Sequence, residues 1–289
     1  MWTIDGQGAG RRLPLHWFLV GVPALFLLVF FVVPNAFLLS ASVLKSENQV
    51  LTNQFTTENF TIFLTKKVYL LTILRTFVVG ISVGLLVAFV SFPVSYFLVR
   101  TRSRFKGVLI TLSLAPLLAS VVVRTYGWYV LLDRFGFVND VLLKLDAIQE
   151  RIAFIPSTGG IIIGLAHALL PYGILTNLAS LSAVNPNMER ASMSLGANRT
   201  KTFLLVLLPN CMPGLVASFL LAFSISISAY ATPAILGGYA AQTIATLIYA
   251  FIMQVLDWSL GAALGTILIV STLAILYFSF RFGGKRAEV

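Results

Sequence analysis

Residues 189–209 are the stretch that most strongly indicates the fold, because they form a polar, partly basic segment between two long apolar ones. The segment reads Glu189-Arg190-Ala191-Ser192-Met193-Ser194-Leu195-Gly196-Ala197, runs on for nine residues to Val206, and ends with Leu207-Leu208-Pro209. Asn187 is predicted to cap a short helix from Met188, with Glu189 in the first turn, where a carboxylate suits the helix dipole. Gly196 can end that helix in a left-handed turn. Small residues on such a helix favour a docking surface, but spacing alone leaves an ordinary solvated loop equally open.

The composition is that of a membrane protein. Hydrophobic residues make up 58% of the 289 residues and charged residues only 10%, whereas an average soluble domain has about 25% charged residues. Such a chain has too little polar surface to cover a soluble globule, so lipid must surround much of its exterior. A single cysteine, Cys211, excludes an intrachain disulfide, and together with only two histidines it predicts no metal site.

We predict an all-α, polytopic membrane protein with six transmembrane helices. Each predicted span is long enough to cross a hydrocarbon core of about 30 Å, which takes about 20 helical residues. The spans are predicted at Trp17–Ser40, Tyr69–Val99, Val108–Leu131, Gly159–Leu181, Met212–Leu236 and Gly261–Phe280.

The distribution of charge predicts the orientation of these spans. With the N-terminus in the cytoplasm, the inner side carries twelve of the twenty basic residues and three of the ten acidic ones. The outer side then holds eight basic residues and seven acidic ones. This asymmetry supports six spans with both termini in the cytoplasm. Because the basic residues flank apolar runs, the formal net charge of +10 indicates a membrane topology and not nucleic-acid binding.

Two segments allow a second interpretation. Thr243–Trp258 is apolar enough to resemble a span but is short, and we interpret it as an interfacial or re-entrant helix at the outer face. Arg11 and Arg12 precede an apolar run and could begin a signal peptide. That run is too long for a signal peptide, so a retained first span is favoured.

The sequence has no motif for nucleotide binding or hydrolysis. It has no Gly-x-x-x-x-Gly-Lys-Ser/Thr, no His-Glu-x-x-His and no Gly-x-Ser-x-Gly. No carboxylate falls within the central zone of a predicted span, which lowers the case for a proton- or sodium-coupled carrier. If the protein moves a solute uphill, the energy comes from a partner or a gradient.

Residues 189–209 resemble the EAA loop of the membrane subunits of bacterial ABC importers. Gly196, Val206 and Pro209 hold the family's spacing of Gly, Ile and Pro, whereas Arg190 stands where the family has Glu, and the nearest acid is Glu189. Three further motifs are similar to type I importer permeases of the spermidine/putrescine branch. They are Phe92-Pro93-Val94-Ser95-Tyr96-Phe97-Leu98-Val99-Arg100, Val123-Arg124-Thr125-Tyr126-Gly127-Trp128-Tyr129-Val130-Leu131-Leu132 with Gly136-Phe137-Val138-Asn139, and Tyr230-Ala231-Thr232-Pro233-Ala234-Ile235-Leu236-Gly237-Gly238.

This resemblance implies a division of the chain and a set of partners. Residues 1–68 would hold a cytoplasmic segment, the first span and an outer loop, residues 69–280 the type I transmembrane domain, and residues 281–289 a cytoplasmic tail. The expected partners are a dimer of ATP-binding subunits, a second permease that the resemblance favours as a different subunit, a periplasmic solute-binding protein, and membrane lipid. ATP and Mg²⁺ would bind to the partner subunits and no cofactor to this chain, which would be a non-catalytic subunit of the bacterial inner membrane.

The resemblance also implies a coupling helix at about residues 188–197, which the ATP-binding subunits would grip. ATP-driven closure of those subunits would then rock the spans. The implied coupling residues are Glu189, Arg190, Ala191, Ser192, Leu195, Gly196 and Ala197. Because Arg190 replaces the family's acid, any contact that requires a carboxylate at that position is in question.

Residues of the solute pathway are predicted less directly. Candidates are Arg124, Tyr126, Trp128, Ser224, Ser228 and Tyr230. Hydroxyls in a membrane helix more often bond their own carbonyls than line a pathway. Arg124 can instead extend to the headgroups. The aromatic rings suit cation–π contact with a polyamine, but anchoring at the membrane interface explains them equally well.

The predicted function is that of a permease subunit, with a spermidine- or putrescine-like polyamine as the expected solute. Relatives in the same branch are taken to carry opines, ferric iron or phosphonates, so these remain alternatives. Two interpretations from other classes remain as well: a self-sufficient carrier or channel, and a structural or assembly protein without a pathway.

Overall fold

A computed structural model of the chain describes residues 15–283, and most of them are helical. Five helical stretches are long and apolar enough to cross a membrane: Leu19–Ser42, Lys67–Arg100, Thr158–Ala183, Arg199–Ser228 and Trp258–Tyr277. A sixth crossing results if Lys106–Leu118 and Val121–Lys144 count as one bent span. The predicted all-α fold is confirmed. The predicted N-terminal cytoplasmic segment before residue 15 and the tail from residue 284 lie outside the described residues.

The first span is followed by a small hairpin that the sequence did not predict. These elements are α1 (Leu15–Leu27), a π-helical turn (Leu28–Val32), α2 (Val33–Ser42), β1 (Leu44–Glu47), β2 (Val50–Phe55) and α3 (Glu58–Thr65). The two strands are antiparallel. Buried Asn59 of α3 donates to the carbonyl oxygens of Ser42 and Leu44, each at a distance of 3.0 Å. These bonds attach α3 to the end of the first span.

The predicted third span, Val108–Leu131, is bent in the structure. The chain continues from α4 (Lys67–Arg100) into α5 (Lys106–Leu114), a 3₁₀ turn (Ala115–Leu118), α6 (Val121–Leu132) and α7 (Phe137–Lys144). The two halves meet at 94°. Pro116, which lacks a backbone N–H, lies in the 3₁₀ turn, and Ala119 and Ser120 are extended. Arg124 donates from Nη1 to the carbonyl oxygen of Pro116, so its side chain spans the bend.

The predicted fifth span, Met212–Leu236, is shifted in the structure. The second half of the chain comprises α8 (Thr158–Ala183), α9 (Pro186–Ser194), α10 (Arg199–Thr202), a π-helical turn (Phe203–Leu207), α11 (Leu208–Ser228), α12 (Ala231–Leu236), α13 (Ile244–Tyr249), a π-helical turn (Ala250–Val255) and α14 (Trp258–Gly283). The span begins at Arg199 and ends at Ser228, because Ala229 is extended. The segment read as Thr243–Trp258 is a separate apolar helix too short to count as a span, Ile244–Val255.

The core of the molecule lies where α4, α8 and α11 pack together. Small residues allow the close approach: a Cβ added at Gly173 would lie 2.5 Å from Val87 Cγ1, and one at Gly214 would lie 2.7 Å from Ser180 Oγ. Such small-residue contacts are the usual means of packing helices in a membrane, where no hydrophobic effect drives helices together. The buried apolar side chains of these helices include Val79, Val83, Val87, Ile161, Leu165, Leu169 and Ala222.

Polar side chains also join the three core helices. Asn177 of α8 is fully buried. Its Nδ2 donates to Ser91 Oγ of α4 at a distance of 2.8 Å and to Ser218 Oγ of α11 at 3.4 Å. Ser95 of α4 donates to the carbonyl oxygen of Ile174, over 3.0 Å. The three helices are thus held in register by hydrogen bonds as well as by packing.

Candidate functional site

The helix predicted as a docking surface exists, but it begins earlier than expected. It runs from Pro186 to Ser194, and its N-cap is Asn185, whose Oδ1 accepts the backbone N–H of Asn187 over 2.9 Å. The prediction that Asn187 caps a helix from Met188 is therefore wrong. Proline at the first helical position explains the difference, since its fixed φ suits a first turn and its missing N–H has no intrahelical partner to lose.

The left-handed turn expected at Gly196 is confirmed. Gly196 has φ of +87°. Its N–H donates to the carbonyl oxygen of Met193, and the N–H of Ala197 donates to that of Ser192. This pair of bonds is the Schellman arrangement, which satisfies the last carbonyls of a helix. The helix α9 is thus terminated by local chemistry at both ends.

One face of α9 is open. In α9 no residue is buried, and Leu195, just beyond it, is 89% exposed. Met188, Ala191 and Leu195 are exposed at helical spacing and form an apolar face, which we call the α9 outer face. Arg190 is also exposed, and its Nη1 lies 3.4 Å from Asn187 Oδ1. An exposed apolar face on a polar segment is the pattern of a protein interaction site.

A neighbouring face of α9, which carries Glu189 and Ser192, is bonded to the bundle. Glu189 accepts from Arg100 Nη2, at the end of α4, with 2.5 Å between the atoms, and from Tyr96 Oη over 3.3 Å. One turn on, the hydroxyls of Ser192 and Thr202 are 3.1 Å apart, which joins α9 to α10. Sequence reasoning missed Arg100 and Tyr96 as partners of Glu189. The signal available was the motif Phe92–Arg100, which contains both residues but was interpreted only as part of the family resemblance.

A second region of interest is a cleft of about 350 Å³ at the end of α11. Two predicted pathway residues, Ser228 and Tyr230, line it, and Tyr249 of α13 lies opposite. The rings of Tyr230 and Tyr249 are 4.7 Å apart. Burial and then the neighbouring Tyr249 raise the pKa of Tyr230. Tyr249 was missed because it lies in the segment interpreted as interfacial.

The serines of α11 bond their own helix. Ser228 Oγ donates to the carbonyl oxygen of Ser224 over 3.1 Å, and Ser226 Oγ donates to that of Ala222 over 2.6 Å. Ser224 itself is half-buried. The Oγ of Ser228 can still accept a hydrogen bond in the cleft, because only the hydroxyl proton is used within the helix.

The remaining pathway candidates lie elsewhere. Tyr126 is exposed, with its ring 6.1 Å from that of Tyr129, and half-buried Trp128 meets His167 edge-to-face at 5.6 Å. Arg124 is engaged at the bend. Within residues 15–283, these three side chains do not line the cleft of Tyr230. The structure thus separates the predicted pathway residues into two groups.

The bundle of apolar helices, with an exposed helix between two spans, is that of a polytopic membrane protein, and comparison with solved structures places it among the ABC transporter permeases. One chain of the crystal structure of a bacterial alginate ABC transporter, in complex with an alginate pentasaccharide-bound periplasmic protein, superposes with a TM-score of 0.79. That match covers 96% of this chain and 97% of the other at 17% identity. A chain of an amino acid ABC transporter crystallised with histidines superposes with a TM-score of 0.52 at 14% identity. That match covers 80% of this chain and 100% of the other. The fold is that of a type I importer permease.

Residues 80–282 match the model of the binding-protein-dependent transport system inner membrane component family, and the chain belongs to that family. The spermidine/putrescine transport system permease protein PotB of Escherichia coli K12 is 27% identical over 269 residues, 91% of this chain and 97% of the relative. The putative ferric transport system permease protein FbpB 1 of Haemophilus influenzae is 31% identical over 178 residues, 61% of this chain and 28% of the relative. The resemblance stated from sequence motifs is confirmed. The protein is a permease subunit of an ABC importer in the inner membrane.

Proposed function

We propose that this permease takes up a polyamine-like cation, which a periplasmic binding protein delivers, and that α9 is the helix on which an ATP-binding subunit acts. The observation that carries the proposal is the two-sided contact of α9. Its outer face presents Met188, Ala191 and Leu195 to solvent, while Glu189 and Ser192 bond to the bundle. A partner that moves this helix would move the spans bonded to it.

The expected assembly has four further subunits. A dimer of ATP-binding subunits supplies the nucleotide site, because the sequence of this chain contains no nucleotide motif. A second permease, different from this one, completes the pathway, and a periplasmic binding protein delivers the solute. The termini lie in the cytoplasm, on the same side as α9, as the excess of basic residues indicates.

A polyamine is supported by two observations. Several permeases of the spermidine/putrescine system are 24–27% identical to this chain over most of its length. The cleft at the end of α11 offers the rings of Tyr230 and Tyr249 and the hydroxyl of Ser228. Aromatic faces attract ammonium groups by cation–π interaction, worth about 0.5–2 kcal/mol each.

An anionic solute, such as an opine or a phosphonate, is the second candidate. The helices α4, α6, α8 and α11 contain no Asp or Glu, whereas Arg75 and Arg124 lie within α4 and α6. Arg75 donates to the carbonyl oxygen of Gln242 over 3.2 Å and is half-buried. Positive charge without an acid nearby favours an anion over a cation.

Cross-linking tests the docking of α9. A cysteine in place of Ala191, on the α9 outer face, is expected to cross-link to a co-expressed ATP-binding subunit. The native Cys211 is buried and does not compete. Asn53→Cys, on the exposed part of β2, is the matched control and is expected to give no product with that subunit. Absence of a cross-link from position 191 in every nucleotide state would contradict the proposal.

Uptake into proteoliposomes tests the solute. The complete importer, with ATP inside the vesicles and binding protein outside, is expected to accumulate labelled spermidine, and a phosphonate or an opine should not compete. Competition by an anion, without spermidine uptake, would favour the second candidate. Uptake by this chain alone without ATP would instead indicate a self-sufficient carrier.

A further inference from the structure

Glu189 is the acid nearest to the position where related loops have Glu, yet its side chain lies against this chain's own bundle. Only 15% of its side chain is exposed, and 22% of that of Arg100. Both of its carboxylate oxygens have partners, Oε1 with Arg100 Nη2 and Oε2 with Tyr96 Oη. An approaching subunit therefore meets the α9 outer face, while Glu189 is already bonded within the chain.

The pair joins α9 to the longest helix of the molecule. Arg100 is the last residue of α4, which has 34 residues without a break. A helix of that length extends about 50 Å, more than the thickness of the hydrocarbon core. Glu189 and Arg100 are 89 positions apart in sequence. Their bond thus connects a short surface helix to a rigid helix that also packs on α8 and α11.

The packing of α9 against the bundle is incomplete. A cavity of about 180 Å³ lies behind it, lined by residues of α4, α9, α10 and the following turn: Tyr96, Glu189, Met193, Arg199, Thr202, Phe203 and Leu207. Glu189 and Ser192 supply hydrogen bonds from α9 to the bundle, and the charge-assisted bond of Glu189 to Arg100 is about twice as strong as a neutral one such as Ser192 to Thr202. The Arg100–Glu189 pair is therefore the strongest of these polar links between α9 and the bundle.

We propose that Arg100 and Glu189 are positioning residues for coupling, which transmit displacement of α9 to α4. This inference rests on the proposed function, in which an ATP-binding subunit acts on α9. In this role Glu189 acts inward on the spans and is not the acid that contacts the ATP-binding subunit. Because the side chains of Arg100 and Glu189 are largely desolvated, replacing one of them leaves the other as an unpaired, largely buried charge, whereas replacing both leaves no such charge.

The test is a double-mutant cycle in the complete importer reconstituted in proteoliposomes, with solute taken up per ATP hydrolysed as the readout. Arg100→Gln and Glu189→Gln are each expected to lower that ratio about five- to tenfold, the scale of a modest coupling between sites. The double variant is expected to be no worse than either single variant. The exchange Arg100→Glu with Glu189→Arg is expected to restore most of the ratio.

Arg102→Gln is the matched control, because Arg102 is exposed two residues beyond and its side chain forms no ion pair with any described residue. It is expected to leave the ratio unchanged. If Arg100→Gln does not accumulate in the membrane, Arg100→Lys replaces it, since lysine keeps the charge and loses the planar fork. Arg100→Lys should give a smaller loss in the same direction.

Three outcomes separate the two proposals. The role of the pair is overturned if the single variants keep the wild-type ratio of solute to ATP, or if their losses multiply in the double variant. In either case a cross-link from position 191 would still support docking. A missing cross-link in the otherwise wild-type protein would overturn the proposed function itself. Loss of the ratio in the single variants, with the cross-link retained and the exchange restoring uptake, would support both.

Discussion

The first span and the core made by α4, α8 and α11 are all apolar enough to cross a membrane, but they are packed differently. In the most apolar 18-residue window of Leu19–Ser42 no residue is buried by the rest of the chain, whereas 44% of the corresponding window is buried in α4 and also in α8. The family match covers residues 80–282, so it includes the core and leaves out the first span. Exposure of apolar side chains to lipid costs little, so the two regions differ in internal contacts and not in their suitability for a membrane.

The difference shows which part of the sequence specifies the fold. In the core, the positions of the helices are set by glycines at close contacts and by buried Asn177. The first span meets the rest of the chain mainly where α2, its second half, packs on α14. Substitutions that add volume should therefore be tolerated in the first span and not in the core. Three predictions test this, from the largest expected effect to the smallest.

Gly173→Leu is expected to have the largest effect. A Cβ at this position would already lie 2.5 Å from Val87 Cγ1 and 2.7 Å from Ser91 Oγ, so α4 and α8 must separate. Overpacking of this kind costs about 3 kcal/mol or more. The measurement is the amount of monodisperse protein in detergent and its thermal unfolding temperature. Gly21→Leu is the matched control, since nothing lies within 4 Å of a Cβ there. Equal losses in both variants would remove the distinction between core and first span.

Asn177→Ala is expected to have an intermediate effect. It removes the bonds to Ser91 and Ser218 that join three helices, and polar contacts between membrane helices are worth about 0.6–1.7 kcal/mol. The thermal unfolding temperature should fall by a few degrees, and the protein should still insert. The control is Asn53→Ala in the hairpin, whose side chain is exposed. A more stable Asn177→Ala variant would mean that the buried amide is kept for a reason other than stability.

Gly265→Ala is expected to have the smallest effect, because it lies where α14 meets the first span. A Cβ there would lie 3.4 Å from Leu38 Cδ1, at the edge of ordinary contact. Helix propensity favours alanine by about 1 kcal/mol, which offsets a small adjustment of Leu38. The unfolding temperature should stay within about 2 °C of the parent value, a shift that corresponds to well under 1 kcal/mol in a protein of this size. A fall in unfolding temperature as large as that of Asn177→Ala would show that the contact of Gly265 with Leu38 is as constrained as the core.

The sequence predicted those features that local chemistry controls. The helix α9 and the left-handed turn at Gly196 depend on asparagine, proline and glycine within a few residues of each other. The start of the helix was misplaced because Asn185 and Asn187 are both good caps, and only Pro186 distinguishes them. The α4 span was predicted within two residues at each end, since a long apolar run has few alternatives.

Features that depend on distant or opposing groups could not be predicted. The bend between α5 and α6 lies within one continuous apolar run, in which Pro116 indicates a kink but not its angle or direction. The contact of Glu189 with Arg100 joins residues that are separated in the sequence by four α-helices, α5 to α8. The contact of Tyr230 with Tyr249 likewise requires α13 to fold back on α11, which neither segment specifies by itself.

The π-helical turn at Phe203–Leu207 has a consequence for how this region tolerates change in length. Leu208 N–H donates to the carbonyl oxygen of Phe203, five residues back, so the turn holds one residue more than an α-helical turn. An extra residue in an uninterrupted helix would rotate everything beyond it by about 100°. Here the wide turn absorbs that residue locally, and the buried face of α11 at Cys211, Gly214 and Ser218 stays aligned with α4 and α8. The junction between α9 and the core is therefore a place where the chain can change in length by one residue without rotating the buried face of α11.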